Sequence, residues 1–293
     1  MEELQRVGNA VLPSPPWIKV IRVTIPATTL SAAADTLIDT IGKEELDSVI
    51  GGTEWWQRRE VGVQGEWITT NKLAKKGKAE SKMSEKEQSH QWQERADGLE
   101  DSGVDLGLPE SKKQSTESSA YTPELDAMRC ILFIHGGAYF FGSINTHRHA
   151  IWRLARKTGG RAFAVEYRLA PQYPFPCALQ DALAAYLYLI RPPPGAAHLP
   201  VDPAKITIAG DSAGGGLTLA LLALIRDAGL PAPAGGEPTS ISSLVSFADV
   251  VYSAGVLISP WVDLTHCFPS ILQNTRTDFI RTSILLLVNS FDR

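Results

Sequence analysis

One short stretch limits the folds open to this chain more than any other: Lys205-Ile206-Thr207-Ile208-Ala209-Gly210-Asp211-Ser212-Ala213-Gly214-Gly215-Gly216, followed by the apolar run Leu217 to Ile225. Residues 205–209 read as a buried strand and 217–225 as an apolar helix, so Ser212 stands at a sharp strand-to-helix junction. Gly210 and Gly214, two positions either side of it, give the G-x-S-x-G spacing of a nucleophile elbow, in which a bulky neighbour would crowd a strained turn. Glycine-rich turns also occur with no chemistry attached, so the spacing alone leaves both readings open. A dinucleotide or phosphate loop is disfavoured, because glycines at 210, 214, 215 and 216 are out of G-x-G-x-x-G register and no G-K-S/T follows.

A second apolar run, Cys130 to Ile134, ends in His135-Gly136-Gly137-Ala138-Tyr139. A strand that runs into paired glycines exposes backbone N–H groups. Opposite an elbow, such a loop completes an oxyanion hole with the N–H of the residue after the nucleophile. Gly136, Gly137 and Ala213 are the expected donors.

Five motifs in order, H-G-G-A-Y at 135–139, E-Y-R-L-A-P at 166–171, Pro174-Phe175-Pro176, Gln180-Asp181-Ala182 and G-D-S-A-G-G at 210–215, resemble the hormone-sensitive-lipase branch of the α/β-hydrolases, which includes arylacetamide and steryl-acetate deacetylases. The resemblance implies an α/β fold and a carboxylic-ester hydrolase that forms an acyl-enzyme on Ser212. Gly136, Gly137 and Ala213 would hold the oxyanion, and His135, Gly210, Asp211, Gly214 and Gly215 would support the motif, His135 by orienting its loop. Tyr167, Arg168 and Asp181 read as structural polar contacts behind the site. Gln172 and Cys177 depart from the usual Glu and Ala without touching the chemistry.

In this fold the acid and then the histidine follow the serine in the chain. The only histidine after Ser212 is His266, with Asp263 three residues before it. The family resemblance argues against that pair, since 258–264 resembles a strand end leading into a cap segment. The expectation is therefore a hydrolase-fold chain lacking its C-terminal strands, and inactive for want of the triad acid and base. The alternative is a non-catalytic protein of the same fold that binds a ligand or partner in the cleft.

Residues 236–253 and 279–293 do not resemble the family. Codons for Gly236-Glu237, Tyr252-Ser253 and Arg281-Thr282-Ser283 can spell splice signals, so both stretches are expected to be translated intron sequence; a genuine loop insertion and a short form compete with that reading.

The chain divides into an N-terminal cap-like lobe (1–72), a disordered polar insertion (73–127) and a truncated hydrolase domain (128–293). In the lobe, Ile18–Ile25 reads as a strand and Leu30–Ile41 as a helix; Trp55, Trp56 and Trp67 read as packing residues. The insertion is rich in Lys, Glu and Ser and too poor in apolar side chains to offset its ordering entropy. From Arg129 onward, strands at 130–134, 161–166, 205–209 and 254–259 alternate with helices near 147–158, 178–190 and 213–227, a pattern that predicts a mostly parallel sheet with helices on both faces. Without further strands its edge would stay exposed and prone to aggregation.

A net charge of −4 offers no basic footprint for nucleic acid, so a small-molecule acyl ester is the expected partner. Cys130, Cys177 and Cys267 lack ligand spacing and read as buried thiols, with no metal and no cofactor expected. Met1-Glu2-Glu3-Leu4 opens on acids with no apolar run behind it, which argues against a secretory signal and for an intracellular location. No stretch of 18 apolar residues occurs; peripheral membrane association through an apolar cap stays open.

Overall fold

The computed structural model describes residues 14–51, 62–79, 128–233, 255–265 and 267–269, with residues 5, 82–83, 86 and 273–274 besides. Six strands form one sheet: β1 (Ile18–Ile25), β2 (Val63–Thr70), β3 (Cys130–Ile134), β4 (Arg161–Val165), β5 (Ile206–Asp211) and β6 (Gly255–Ile258). Their order across the sheet is β1-β2-β4-β3-β5-β6. β4, β3, β5 and β6 run parallel, with Leu132 opposite both Phe163 and Ile208, while β1 and β2 add an antiparallel margin through Trp67 opposite Phe163. The α/β architecture with a mostly parallel sheet is the one the strand and helix alternation predicts.

β3, and β4 after its first residue Arg161, are continuous apolar runs because both of their faces are covered. On one face Leu132, Ile134, Phe163, Val165 and Ile208 pack under α1 (Ala27–Ile41), α4 (Cys177–Ile190) and α5 (Ala213–Asp227). On the other, Ile131, Phe133, Ala162, Ala164 and Ala209 pack under α3 (Ile144–Lys157), through Ile151 and Trp152. Each fully buried Leu or Phe of this kind contributes roughly 1.5–3 kcal/mol of transfer free energy. α2 (Lys43–Ile50) follows α1 and buries Leu46.

The N-terminal segment is tied into the sheet, since β2 pairs with β4. β1 pairs with β2 along its whole length, and α1 lies on α4, with the Leu30 carbonyl accepting from Gln180 Nε2 at 2.8 Å. β2 itself lacks a clean alternation (Val-Gln-Gly-Glu-Trp-Ile-Thr-Thr). Its Glu66 is buried because Arg148 of α3 pairs with it at 2.8 Å, and Arg22 of β1 adds a bond at 3.1 Å.

The insertion also differs from expectation at its start. Residues 71–79 are helical: the Thr70 hydroxyl accepts from the Leu73 N–H at 3.2 Å, an N-cap, and Ala74 packs against the core. Most of 80–127 lies outside the described residues, as do 236–253 and 279–293. α3 starts at Ile144, three residues before its expected start, because Ser143 and Thr146 form a reciprocal capping box. Cys130 and Cys177 are buried, but Cys267 is exposed, sitting in a turn beyond β6 where its N–H donates to Asp263 Oδ2 at 3.0 Å. Among the described residues no helix is long and apolar enough to cross a membrane.

Candidate active site

Ser212 is the hinge between β5 and α5, with φ 51° and ψ −119°. A non-glycine residue held in such a conformation costs on the order of 1–3 kcal/mol, and the surroundings must over-determine it. They do so through the backbone. The Ser212 N–H donates to the Ile258 carbonyl at 2.9 Å, and the Ser212 carbonyl accepts from the N–H groups of Trp261 at 2.8 Å and Gly216 at 3.1 Å. Serine at a helix N-terminus usually caps it with its hydroxyl. Here the side chain makes no cap hydrogen bond, although the helix begins directly after it.

The tight approach of the loop to the elbow explains the small residues. A side chain at 214 would strike the carbonyls of Ile134 and His135, and one at 136 would strike the Asp211 carboxylate. The loop that follows β3 then turns through Gly137 (φ 120°), Ala138 (φ 51°) and Tyr139 (φ 64°), and the Gly137 carbonyl accepts from the N–H groups of Phe140 and Phe141.

Of the three expected oxyanion donors, Gly136 makes a hydrogen bond within the protein. The Gly136 N–H donates to Asp211 Oδ1 at 3.1 Å and is thereby occupied. For the N–H groups of Gly137, Ala138 and Ala213, no acceptor is present among the described residues. The sequence does not single out the Ala138 N–H, because paired glycines draw attention to side-chain size, whereas the direction of an N–H depends on loop torsions.

His135 is buried and supports the loop. Its Nδ1 faces the Gly136 carbonyl at 2.8 Å, so that nitrogen carries the proton, and its ring stacks on Tyr167 at 4.3 Å. Burial pulls its pKa down to about 4, so the ring is neutral at neutral pH. The Tyr167 hydroxyl donates to the His135 carbonyl at 2.9 Å. Arg168 holds the fully buried Asp181 with Nε at 2.6 Å and a second nitrogen at 2.8 Å, and its own backbone N–H adds a third bond at 2.9 Å. These three residues are structural, as their sequence context implies.

Sequence analysis also missed His147 and Glu166. His147 Nε2 lies 3.3 Å from Asp211 Oδ2. Glu166, at the end of β4, accepts from the Ile144 N–H at 2.9 Å, and burial first, then the nearby Glu66 charge, push its carboxyl up to about 7.

Downstream, Asp263 is committed to its own turn: Oδ1 accepts from the Thr265 N–H and hydroxyl at 3.1 and 2.6 Å, and Oδ2 from Cys267. His266 lies outside the described residues. Among the described residues no imidazole or carboxylate is hydrogen-bonded to the Ser212 hydroxyl, and no group of three or more His, Cys, Asp and Glu could hold a metal ion.

The family described as alpha/beta hydrolase fold matches residues 131–289. An acetyl-hydrolase of Streptomyces hygroscopicus is 41% identical over 46% of this chain and 37% of its own length. An ethyl acetate hydrolase of Pseudomonas putida is 37% identical over 40% and 37%, and Lipase 2 of a Moraxella species is 36% identical over 42% and 27%. The chain thus spans about a third of the length of these curated relatives. Among solved structures, EstE5 soaked with p-nitrophenyl butyrate aligns with TM-score 0.53 at 24% identity, covering 98% of this chain and 60% of that one. An esterase/lipase from an uncultured bacterium aligns with TM-score 0.53 at 24%, covering 99% and 59%; both likenesses speak to the fold. With its sheet order, its elbow and a family match over more than half its length, this chain belongs to the α/β-hydrolase fold family, as the hormone-sensitive-lipase-like motifs in its sequence imply.

Proposed function

We propose that this chain carries the nucleophile half of a serine carboxylic-ester hydrolase, with Ser212 attacking an acyl carbonyl to form an acyl-enzyme. The observation that carries the reading is the strained Ser212, which spends its backbone on three hydrogen bonds and leaves its hydroxyl uncommitted to the helix cap. Gly137, Ala138 and Ala213 are the backbone donors proposed for the oxyanion, and the N-terminus of α5 adds its positive end. Acetate esters are the first substrates to try, since two relatives bear acetyl- and ethyl acetate-hydrolase names.

A serine hydroxyl needs an adjacent base to react. Asp263 is bound up in its turn, and in a related mechanism loss of the histidine costs about a millionfold in turnover. Residues 1–293 are accordingly expected to hydrolyse p-nitrophenyl acetate about a millionfold more slowly than a form extended to the relatives' full length.

A fluorophosphonate probe tests both parts. Rapid labelling of the 293-residue chain that Ser212→Ala abolishes would show that a base, His266 by sequence order, reaches the hydroxyl. In a form extended to the relatives' full length, Ser212-dependent labelling supports the hydrolase. Its absence there would favour a ligand-binding protein of the same fold.

A further inference from the structure

We propose that His147 stands as an imidazolium clamped between the α3 cap and Asp211, and that this clamp positions the oxyanion loop through the Gly136 N–H. The inference rests on the hydrolase reading only for the meaning of that loop; the clamp itself follows from hydrogen-bond bookkeeping around one ring.

The Thr146 hydroxyl donates to the Ser143 carbonyl at 2.8 Å, so its single proton is used. Its oxygen also lies 2.8 Å from His147 Nδ1, and there it can only accept. The Ser143 carbonyl, which has no proton to give, is a second neighbour of Nδ1 at 3.2 Å. With a carbonyl that can only accept beside the ring, a proton on Nδ1 is the arrangement that satisfies all three groups. On the other side of the ring Nε2 faces the Asp211 carboxylate at 3.3 Å, which accepts as well. A ring with acceptors at both nitrogens is satisfied only when both are protonated.

The charged groups around the ring agree with that state. Asp211 comes from β5, Glu166 from the end of β4, and from the β3 loop the neutral His135 ring stacks at 5.6 Å. Arg148, the next residue of α3, is paired with Glu66 of β2. Burial opposes the charge on His147, but the bond to Asp211, that carboxylate's charge, the Ser143 carbonyl and Glu166 together raise its pKa above the ordinary histidine value. Reciprocally, burial would raise the Asp211 pKa, yet the bond to His147, its charge and the Gly136 N–H hold it below the usual carboxylate range.

Asp211 is thus a two-ended strut. Oδ2 is anchored by His147 on α3 and Oδ1 holds Gly136, the first residue of the loop whose next two N–H groups are the proposed oxyanion donors. Loss of the His147 proton removes one of the ring's bonds and leaves the Asp211 charge uncompensated. His147 and Asp211 are positioning residues: they act on the loop rather than on substrate.

The test is a histidine-ring and backbone amide NMR titration of the 293-residue chain from about pH 5 to about pH 9. It needs no turnover. Both His147 ring nitrogens should be protonated at neutral pH, and the Gly136 and Gly137 amide resonances should shift with the midpoint of His147. Asp211→Asn should lower that midpoint by about one unit or more, and His147→Gln should abolish the titration of the Gly136 amide. A neutral His147 at pH 7, or glycine amides indifferent to its titration, would overturn the clamp, and the wild-type titration decides this even if a variant does not fold. Failure of Ser212 labelling alongside a coupled titration would remove the hydrolase reading and leave the clamp standing.

Discussion

β3 and β6 flank the elbow strand through the same kind of parallel ladder, yet they sit in different surroundings. β3 is buried at every residue, and the loop beyond it is tied down by Asp211, Tyr167 and the His135 ring. β6 alternates between half-buried and exposed, and Val256, Ile258, Val262, Leu264 and Phe268 are apolar side chains left open beside it. The elbow draws its shape from both sides, since Ile258 and Trp261 hold the Ser212 backbone. On the β3 side, side-chain hydrogen bonds lock the loop as well. The difference shows that the β3 flank is built from the core outward, while Ile258 and Trp261 on the opposite flank hold the Ser212 backbone through main-chain bonds.

The largest expected effect probes the locked flank. Asp181→Ala would leave Arg168 without its buried carboxylate and should cost roughly 3–5 kcal/mol in urea denaturation; a cost under 1 kcal/mol would mean that the pair does not brace this side. A matched pair of truncations follows. Leu132→Ala in β3 should cost about 2–5 kcal/mol, whereas Val256→Ala in β6 should fall within about 0.5 kcal/mol. Equal costs would break the contrast and show that something covers β6.

A pH experiment gives a smaller effect. Glu166 titrates at about 7 when folded, above an unfolded glutamate near 4.3. Between those values the folded chain binds the extra proton, so this group's contribution to stability falls as pH rises and is fully unfavourable above neutrality. Glu166→Gln keeps an acceptor for the Ile144 N–H and should stabilise the protein at pH 8 by on the order of 1–2 kcal/mol, with little gain near pH 4. A stability difference independent of pH would refute it. Ser143→Ala removes the α3 cap and should cost about 1 kcal/mol, read as a shift in the denaturation midpoint.

Much of this architecture is legible in the chain. Cys130–Ile134 and Ala213–Asp227 lie where apolar patterning puts them, and the elbow follows from two glycines around a serine. β2 escapes because its Gln64, Gly65 and Glu66 break the alternation, and Glu66 is buried against Arg148, 82 residues away, with Arg22 beside it. The early start of α3 is hidden because its capping box ends in Thr146 rather than the Glu or Gln that usually marks one. His147 carries no local signal, because its partner Asp211 comes from β5, distant in the chain. The bond from the Gly136 N–H to Asp211 is hidden for the same reason, since no pattern of residue types reveals where an N–H points.

The torsions of Ser212 also bear on how such a gene would age. Glycine adopts a φ of this sign freely, so Ser212→Gly should relax the turn, and after the extra chain entropy is counted the gain is about 1 kcal/mol. In a lineage released from catalysis, drift would favour that replacement. Sequencing paralogues that have lost activity would reveal it as an early scar, written at the one position where chemistry and folding ask for different residues.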